Sequence, residues 1–112
     1  SQRIIVAGFS QGGAVAYHAA LTFPASLGGL LAMSTYFATA DNIDLAEANR
    51  QIPIEVQHGN FDPIVPESLG RSGADRLKEM GYAVNYRQYP MAHALCPQQV
   101  NDIGKWLSSR LH

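Results

Sequence analysis

The clearest feature of the chain is a set of four short strand-like runs separated by stretches with helical character. Ile4-Ile5-Val6-Ala7 is a β-branched run broken by Gly8, the pattern of a parallel strand covered on both faces. Gln11 to Phe23 is an alanine-rich helix ended before Pro24, apolar on nearly every side and therefore expected to be buried all round. Gly29 to Ser34 is a second apolar run of strand length. The stretch from Thr35 to Gln51 is polar, and Asp41 or Asn42 can start a short helix over Ile43 to Arg50. Ile52 to Gln57 is the third strand, stopped by His58-Gly59. Glu67 to Met80 follows as a helix with Leu69, Gly73, Leu77 and Met80 on one face and Gly81 as its stop. Val84 to Tyr89 alternates as a fourth strand. The last helix begins near Pro97, with Val100, Ile103, Leu107 and Leu111 at helical spacing. The order βαβ(α)βαβα predicts an α/β fold with a parallel sheet and right-handed crossovers.

Composition narrows the classes of function. A length of 112 residues suits one domain, and 46% hydrophobic against 15% charged residues argues for a core-rich folded chain. A formal net charge of -1 without any Lys/Arg run makes nucleic acid and anionic membrane poor partners. One cysteine excludes an internal disulfide and a four-cysteine zinc site. No apolar run reaches the roughly 18 residues of a membrane span, and no signal-type segment is present. A cytoplasmic location is expected.

In parallel α/β sheets the reactive groups lie on loops at the carboxyl ends of the strands. After the first strand comes Gly8-Phe9-Ser10-Gln11-Gly12-Gly13, a G-x-S-x-G set between strand and helix. Ser10 would stand exposed on a sharp turn at the helix N-terminus. Gly8 and Gly12 would be required where a side chain meets the neighbouring strand and helix, and the Gln11 N–H would point to a developing oxyanion. The plain alternative is a glycine turn capped by serine. After the third strand, Asp62 lies in His58-Gly59-Asn60-Phe61-Asp62-Pro63-Ile64-Val65-Pro66, which also reads as an ordinary Asp-Pro turn. After the fourth, Tyr89-Pro90-Met91-Ala92-His93 places His93 in a loop, where a surface histidine is the plain reading. Together the three residues give the chain order Ser, Asp, His, one per strand end. A serine hydroxyl becomes nucleophilic when a neutral imidazole takes its proton, and a carboxylate holds that imidazole in the right tautomer.

Gly8 to Gly13, His58-Gly59 with Asp62-Pro63, and Met91-Ala92-His93 resemble the carboxylesterase and acyl-protein thioesterase family of α/β-hydrolases. Leu31 to Tyr36 and Asp102 to Leu107 look closest to its bacterial carboxylesterase branch. The likeness runs from Ser1 to Leu111 and implies hydrolysis of small-molecule carboxylic esters, with thioesters as the alternative, without cofactor or metal. It implies Ser10, Asp62 and His93 as the catalytic residues. A small departure is Ala92, where many relatives carry glycine, tolerable if its φ is negative.

The family fold has about twice this length, and the part carrying the second oxyanion donor has no match here. The resemblance therefore implies that residues 1–112 are the C-terminal half of a single α/β-hydrolase domain. Ile4 to Ala7 would then be a sheet edge without the charges or proline that blunt edges, apart from Arg3. The N-terminal half of the domain, or a second copy, is expected to cover it. A peptidase of the same fold, or an inactive fragment serving as a structural or interaction module, are the other readings. Among the remaining candidates, Cys96 is read as a packed thiol, and His18 and His58 as structural, for want of ligand spacing. Of Met33, Tyr36, Phe37 and Met91, which cluster near strand ends, Tyr36 and Phe37 are the expected substrate contacts.

Overall fold

The computed structural model describes residues 4–23, 27–37 and 49–111. Strands β1 (Ile5–Phe9), β2 (Gly29–Met33), β3 (Ile54–Gly59) and β4 (Val84–Tyr89) alternate with helices α1 (Gln11–Thr22), α2 (Glu67–Glu79) and α3 (Pro97–Leu111). The four strands form one wholly parallel sheet in the order β1-β2-β3-β4. The expected short helix over Ile43 to Arg50 falls almost entirely outside the described residues.

Strand limits differ from the sequence reading for local reasons. Gly8 does not break β1, because pairing with β2 continues through Gly8–Ala32 and Phe9–Met33. Pro53 lacks an N–H and delays β3 to Ile54, while His58 and Gly59 extend it by pairing with Gln88 and Tyr89.

Alternation along β3 separates the two faces of the sheet. Ile54 and Val56 join Ala16, Tyr17 and Leu21 of α1 and Ala74 and Leu77 of α2 in one core. On the opposite face, Gln57 accepts from Gln99 of α3 at 2.9 Å, and Tyr89 donates to Asp102 at 2.8 Å. Glu55, fully buried there, accepts from Gln57, Asn85 and Arg87. These polar contacts turn α3 away from the expected stripe, so Gln99 is buried and Val100 is 55% exposed.

Two further helices bury less than their sequences suggest. In α1 only Gly13, Ala16, Tyr17, Ala20 and Leu21 are buried. Val15 is 69% exposed and His18 is exposed, against the expectation of burial all round. In α2 the inward face is Gly70, Gly73, Ala74 and Leu77, and Leu69 points outward. β1 lies at one edge of the described sheet and is half-exposed, whereas β3 is buried throughout.

Candidate active site

The turn between β1 and α1 is built by close approach. A Cβ on Gly8 would collide with the carbonyl of Gly12, and one on Gly13 would lie 2.5 Å from the Thr35 side chain. Gly12 has open space instead, so the steric need expected at that position belongs to Gly13. Ser10 between them adopts φ 58°, ψ −124°, a left-handed conformation that costs a non-glycine residue about 1–3 kcal/mol. The backbone around it holds this geometry. Ser10 N–H donates to Met33 at 3.0 Å, and its carbonyl accepts from Gly13, Ala14 and the Thr35 hydroxyl.

Ser10 occupies the N-cap position of α1 but makes no side-chain cap bond. Its Oγ instead lies 2.9 Å from His93 Nε2. His93 Nδ1 is 2.6 Å from Asp62 Oδ2. An ionised carboxylate only accepts, so the proton sits on Nδ1, leaving Nε2 of a neutral ring free to accept from the Ser10 hydroxyl. One hydrogen-bonded line thus joins residues from the ends of β1, β3 and β4.

The Asp62 and His93 loops are tied to each other. Asn60 N–H donates to Tyr89 at 2.8 Å and Phe61 N–H to Met91 at 3.1 Å. Gly59 lies so close to the Met91 and Ala92 carbonyls that no Cβ fits. Asp62 Oδ1 accepts from the N–H groups of Ile64 and Val65, both at 2.8 Å, which is the plain Asp turn, while Oδ2 is left for His93. Burial pushes the Asp62 carboxyl up, but the bonds from His93, Val65 and Ile64 outweigh it and hold it below its ordinary value. The departure at Ala92 carries no backbone strain, since only Ser10 and Ser34 among described non-glycine residues have positive φ.

A cleft of about 460 Å³ opens beside Ser10, lined by Phe9, Gln11, Gly12, Tyr36, Ile64 and Val65. Gln11 is the first residue of α1, so its N–H has no acceptor within the helix. Tyr36 reaches this cleft. Phe37 does not: it is buried, stacks on Tyr17 at 5.0 Å and lines a cavity of about 610 Å³ along α2, which Tyr36 also lines. Met91 is buried against Gly59, and Cys96 is half-buried.

The sequence reading missed Phe9, whose ring centroid lies 4.8 Å from that of His93, and Thr35, which holds the Ser10 carbonyl. Phe9 stood inside the G-x-S-x-G motif, but nothing in the spacing announced Thr35. Among the described residues no cluster of three His, Cys, Asp or Glu side chains could hold a metal ion.

Comparison with known proteins follows the same lines as the geometry. The family model described as phospholipase/carboxylesterase matches residues 1–111. The chain belongs to this phospholipase/carboxylesterase family. It is 39% identical to the acyl-protein thioesterase 1 of Gibberella zeae, covering 98% of this chain and 49% of that protein. It is also 39% identical to the acyl-protein thioesterase 1 of Neurospora crassa, covering 99% of this chain and 47% of that protein. Among solved structures, Arabidopsis thaliana SOBER1 superposes with a TM-score of 0.89 at 26% identity, over 99% of this chain and 54% of that one. The Bacillus cereus carboxylesterase shares the fold, with a TM-score of 0.80 at 17% identity over 98% of this chain and 51% of that one. The chain therefore has the α/β-hydrolase fold expected of it and spans about half the length of the relatives it matches. The bacterial branch assignment rests on Leu31 to Tyr36 and Asp102 to Leu107 alone.

Proposed function

We propose that this phospholipase/carboxylesterase family chain carries the catalytic residues of a serine carboxylester hydrolase. The observation that carries this reading is the Ser10 hydroxyl, which leaves its capping position on α1 unused and meets His93 Nε2 at 2.9 Å. In the first half-reaction His93 takes the Ser10 proton as Oγ attacks the ester carbonyl. The tetrahedral oxyanion is met by the Gln11 N–H. Asp62 keeps Nδ1 protonated and balances the imidazolium, which then protonates the departing alcohol. In the second half-reaction His93 draws a proton from water, the water attacks the acyl carbonyl, and Ser10 is restored. Tyr36 with Phe9, Ile64 and Val65 forms one wall for the acyl group. The chemistry needs no cofactor or metal.

Thioester hydrolysis is the alternative, favoured by 39% identity to two acyl-protein thioesterases. The same residues serve either substrate. A peptidase or an inactive structural module is a more distant reading.

The reading includes a partner along β1, whose residues have a central strand's composition and a half-exposed position. Ile4 is 50% exposed at its start, and Val15 on α1 and Phe23 just beyond its end are exposed. The N-terminal half of the hydrolase domain, or a second copy, would cover this edge, and that half would also supply the second oxyanion donor. Losing one such donor typically costs about 10²–10³ in rate. A cytoplasmic location belongs to the same reading. No described helix is long and apolar enough to cross a membrane.

A fluorophosphonate probe tests the proposal on the complete protein, beside hydrolysis of a p-nitrophenyl ester and an acyl thioester. Labelling and turnover that vanish in Ser10→Ala are expected, and the ester-to-thioester ratio ranks the two substrates. A folded protein that ignores the probe, or an active Ser10→Ala variant, overturns the reading.

A further inference from the structure

His58 is fully buried at the end of β3, four residues before Asp62. Its Nε2 lies 2.7 Å from the carbonyl of Val65. A carbonyl only accepts, so Nε2 carries a proton and donates it there. The same nitrogen is 3.6 Å from Asp62 Oδ2, the oxygen that receives His93. That is too long for a hydrogen bond but close enough for an N–H dipole to favour the carboxylate. Val65, held through its carbonyl by His58, gives its own N–H to Asp62 Oδ1 at 2.8 Å. The loop is thus clamped from both ends of one peptide residue.

The other edge of the ring makes no polar contact. Nδ1 has no hydrogen-bond partner and lies against Gly70 of α2, where a Cβ would collide with it. A buried acceptor without a partner is unfavourable, and a site selected only for packing would fill this space with an aliphatic side chain. The donor at Nε2 is what the imidazole supplies and such a side chain lacks.

We propose that His58, donating from Nε2–H, is a positioning residue that aims Asp62 at His93 through the Val65 carbonyl. It touches neither substrate nor the reacting atoms. The inference rests on the assignment of Asp62 and His93 to catalysis given above. With the clamp gone, Asp62 Oδ1 keeps its backbone donors only as far as the 62–65 loop keeps its shape, and Oδ2 drifts from His93. The cost then falls on the chemical step and not on substrate binding.

The test uses His58→Leu and His58→Gln in the complete protein, with active sites counted by the fluorophosphonate probe so that rates refer to folded enzyme. Leucine fills the space without a donor, whereas the glutamine amide reaches the position of Nε2 and can donate. His58→Leu should lower kcat about 10–100-fold, by analogy with the loss seen when outer partners of metal ligands are removed, with KM little changed. His58→Gln should recover most of that loss. A His58→Leu enzyme with normal kcat per labelled site, or a glutamine variant no better than leucine, overturns the proposal. Ser10→Ala run alongside separates the two readings: if it retains activity, the catalytic assignment itself fails, whereas a dead Ser10→Ala beside a normal His58→Leu removes only the role of His58. Should the leucine variant not fold, ¹⁵N NMR of the unmodified protein decides, because a His58 protonated at Nδ1 and not at Nε2 contradicts the clamp.

Discussion

The Thr35 hydroxyl donates to the Ser10 carbonyl at 2.5 Å, joining the end of β2 to the one turn where a serine is held at φ 58°. Thr35 is buried, and its side chain also occupies the space that a Cβ on Gly13 would need. One residue therefore fixes the turn twice, by a hydrogen bond and by contact. Thr35→Val keeps the shape and removes the donor. It is expected to lower stability by about 0.5–1.5 kcal/mol, read from urea unfolding, and to slow fluorophosphonate labelling of Ser10.

Gly59 and Gly104 make a matched pair of alanine substitutions. At Gly59 the new Cβ meets the Met91 and Ala92 carbonyls, so the His93 loop must move. Gly59→Ala is expected to cost about 1–3 kcal/mol and to weaken probe labelling. At Gly104, in the exposed face of α3, nothing lies within 4 Å, and Gly104→Ala should stabilise by up to about 1 kcal/mol. Unfolding midpoints of the two variants should shift in opposite directions.

Asp62→Asn should preserve the loop bonds from Ile64 and Val65, which run to Oδ1, while removing the charge opposite His93. The wrong imidazole tautomer is then stabilised. In well-characterised serine proteases the equivalent change costs about 10⁴ in kcat. Steady-state hydrolysis measures it, and near-normal turnover would move the acid role to another carboxylate.

Acid stability should follow Asp62 and Glu67, both held below their ordinary values. Burial opposes this in each. For Asp62 the bonds from His93, Val65 and Ile64 outweigh it, and for Glu67 the bonds from Tyr86, Arg71 and Gln88 do so. Because the folded values are depressed, their contribution is present above the unfolded carboxylate range, near about 4, and is lost as pH falls through the folded values. The urea midpoint should drop below about pH 4, and less steeply in Asp62→Asn. At the other extreme Tyr17, Tyr86 and Tyr89 are raised, first by burial and then by neighbouring charge or hydrogen bonding. Their contribution is complete below the ordinary tyrosine value and is lost as pH climbs beyond about 10.

Much of this molecule is local in origin. The β-branched run at Ile4 to Ala7, the alternation of Val84 to Tyr89 and the stops at Gly81 and Pro24 are set by backbone sterics and period, and those signals lie within a few residues. The placement of Ser10, Asp62 and His93 at strand ends follows from the same patterns, because a parallel sheet collects its carboxyl-end loops on one side. Which face each helix buries was less legible. Leu69 and Val100 fit an apolar stripe, yet His58 beside Gly70 and the Gln57–Gln99 bond turn α2 and α3 another way. Phe37, expected near the substrate because it lies close to a strand end, stacks on Tyr17, a contact that no local pattern announces.

The sequence by itself determined the α/β order, the parallel sheet and the three residues that lie along one hydrogen-bonded line, since each depends on short-range pattern and on spacing along the chain. Only the tertiary structure decided that Ser10 bonds His93 instead of capping α1, that Asp62 divides its two oxygens between its loop and His93, and that Thr35 bonds the Ser10 carbonyl and His58 the Val65 carbonyl. Those facts are distances between atoms as many as 83 residues apart in the chain, fixed by how the strands pair and how closely the glycines let them approach.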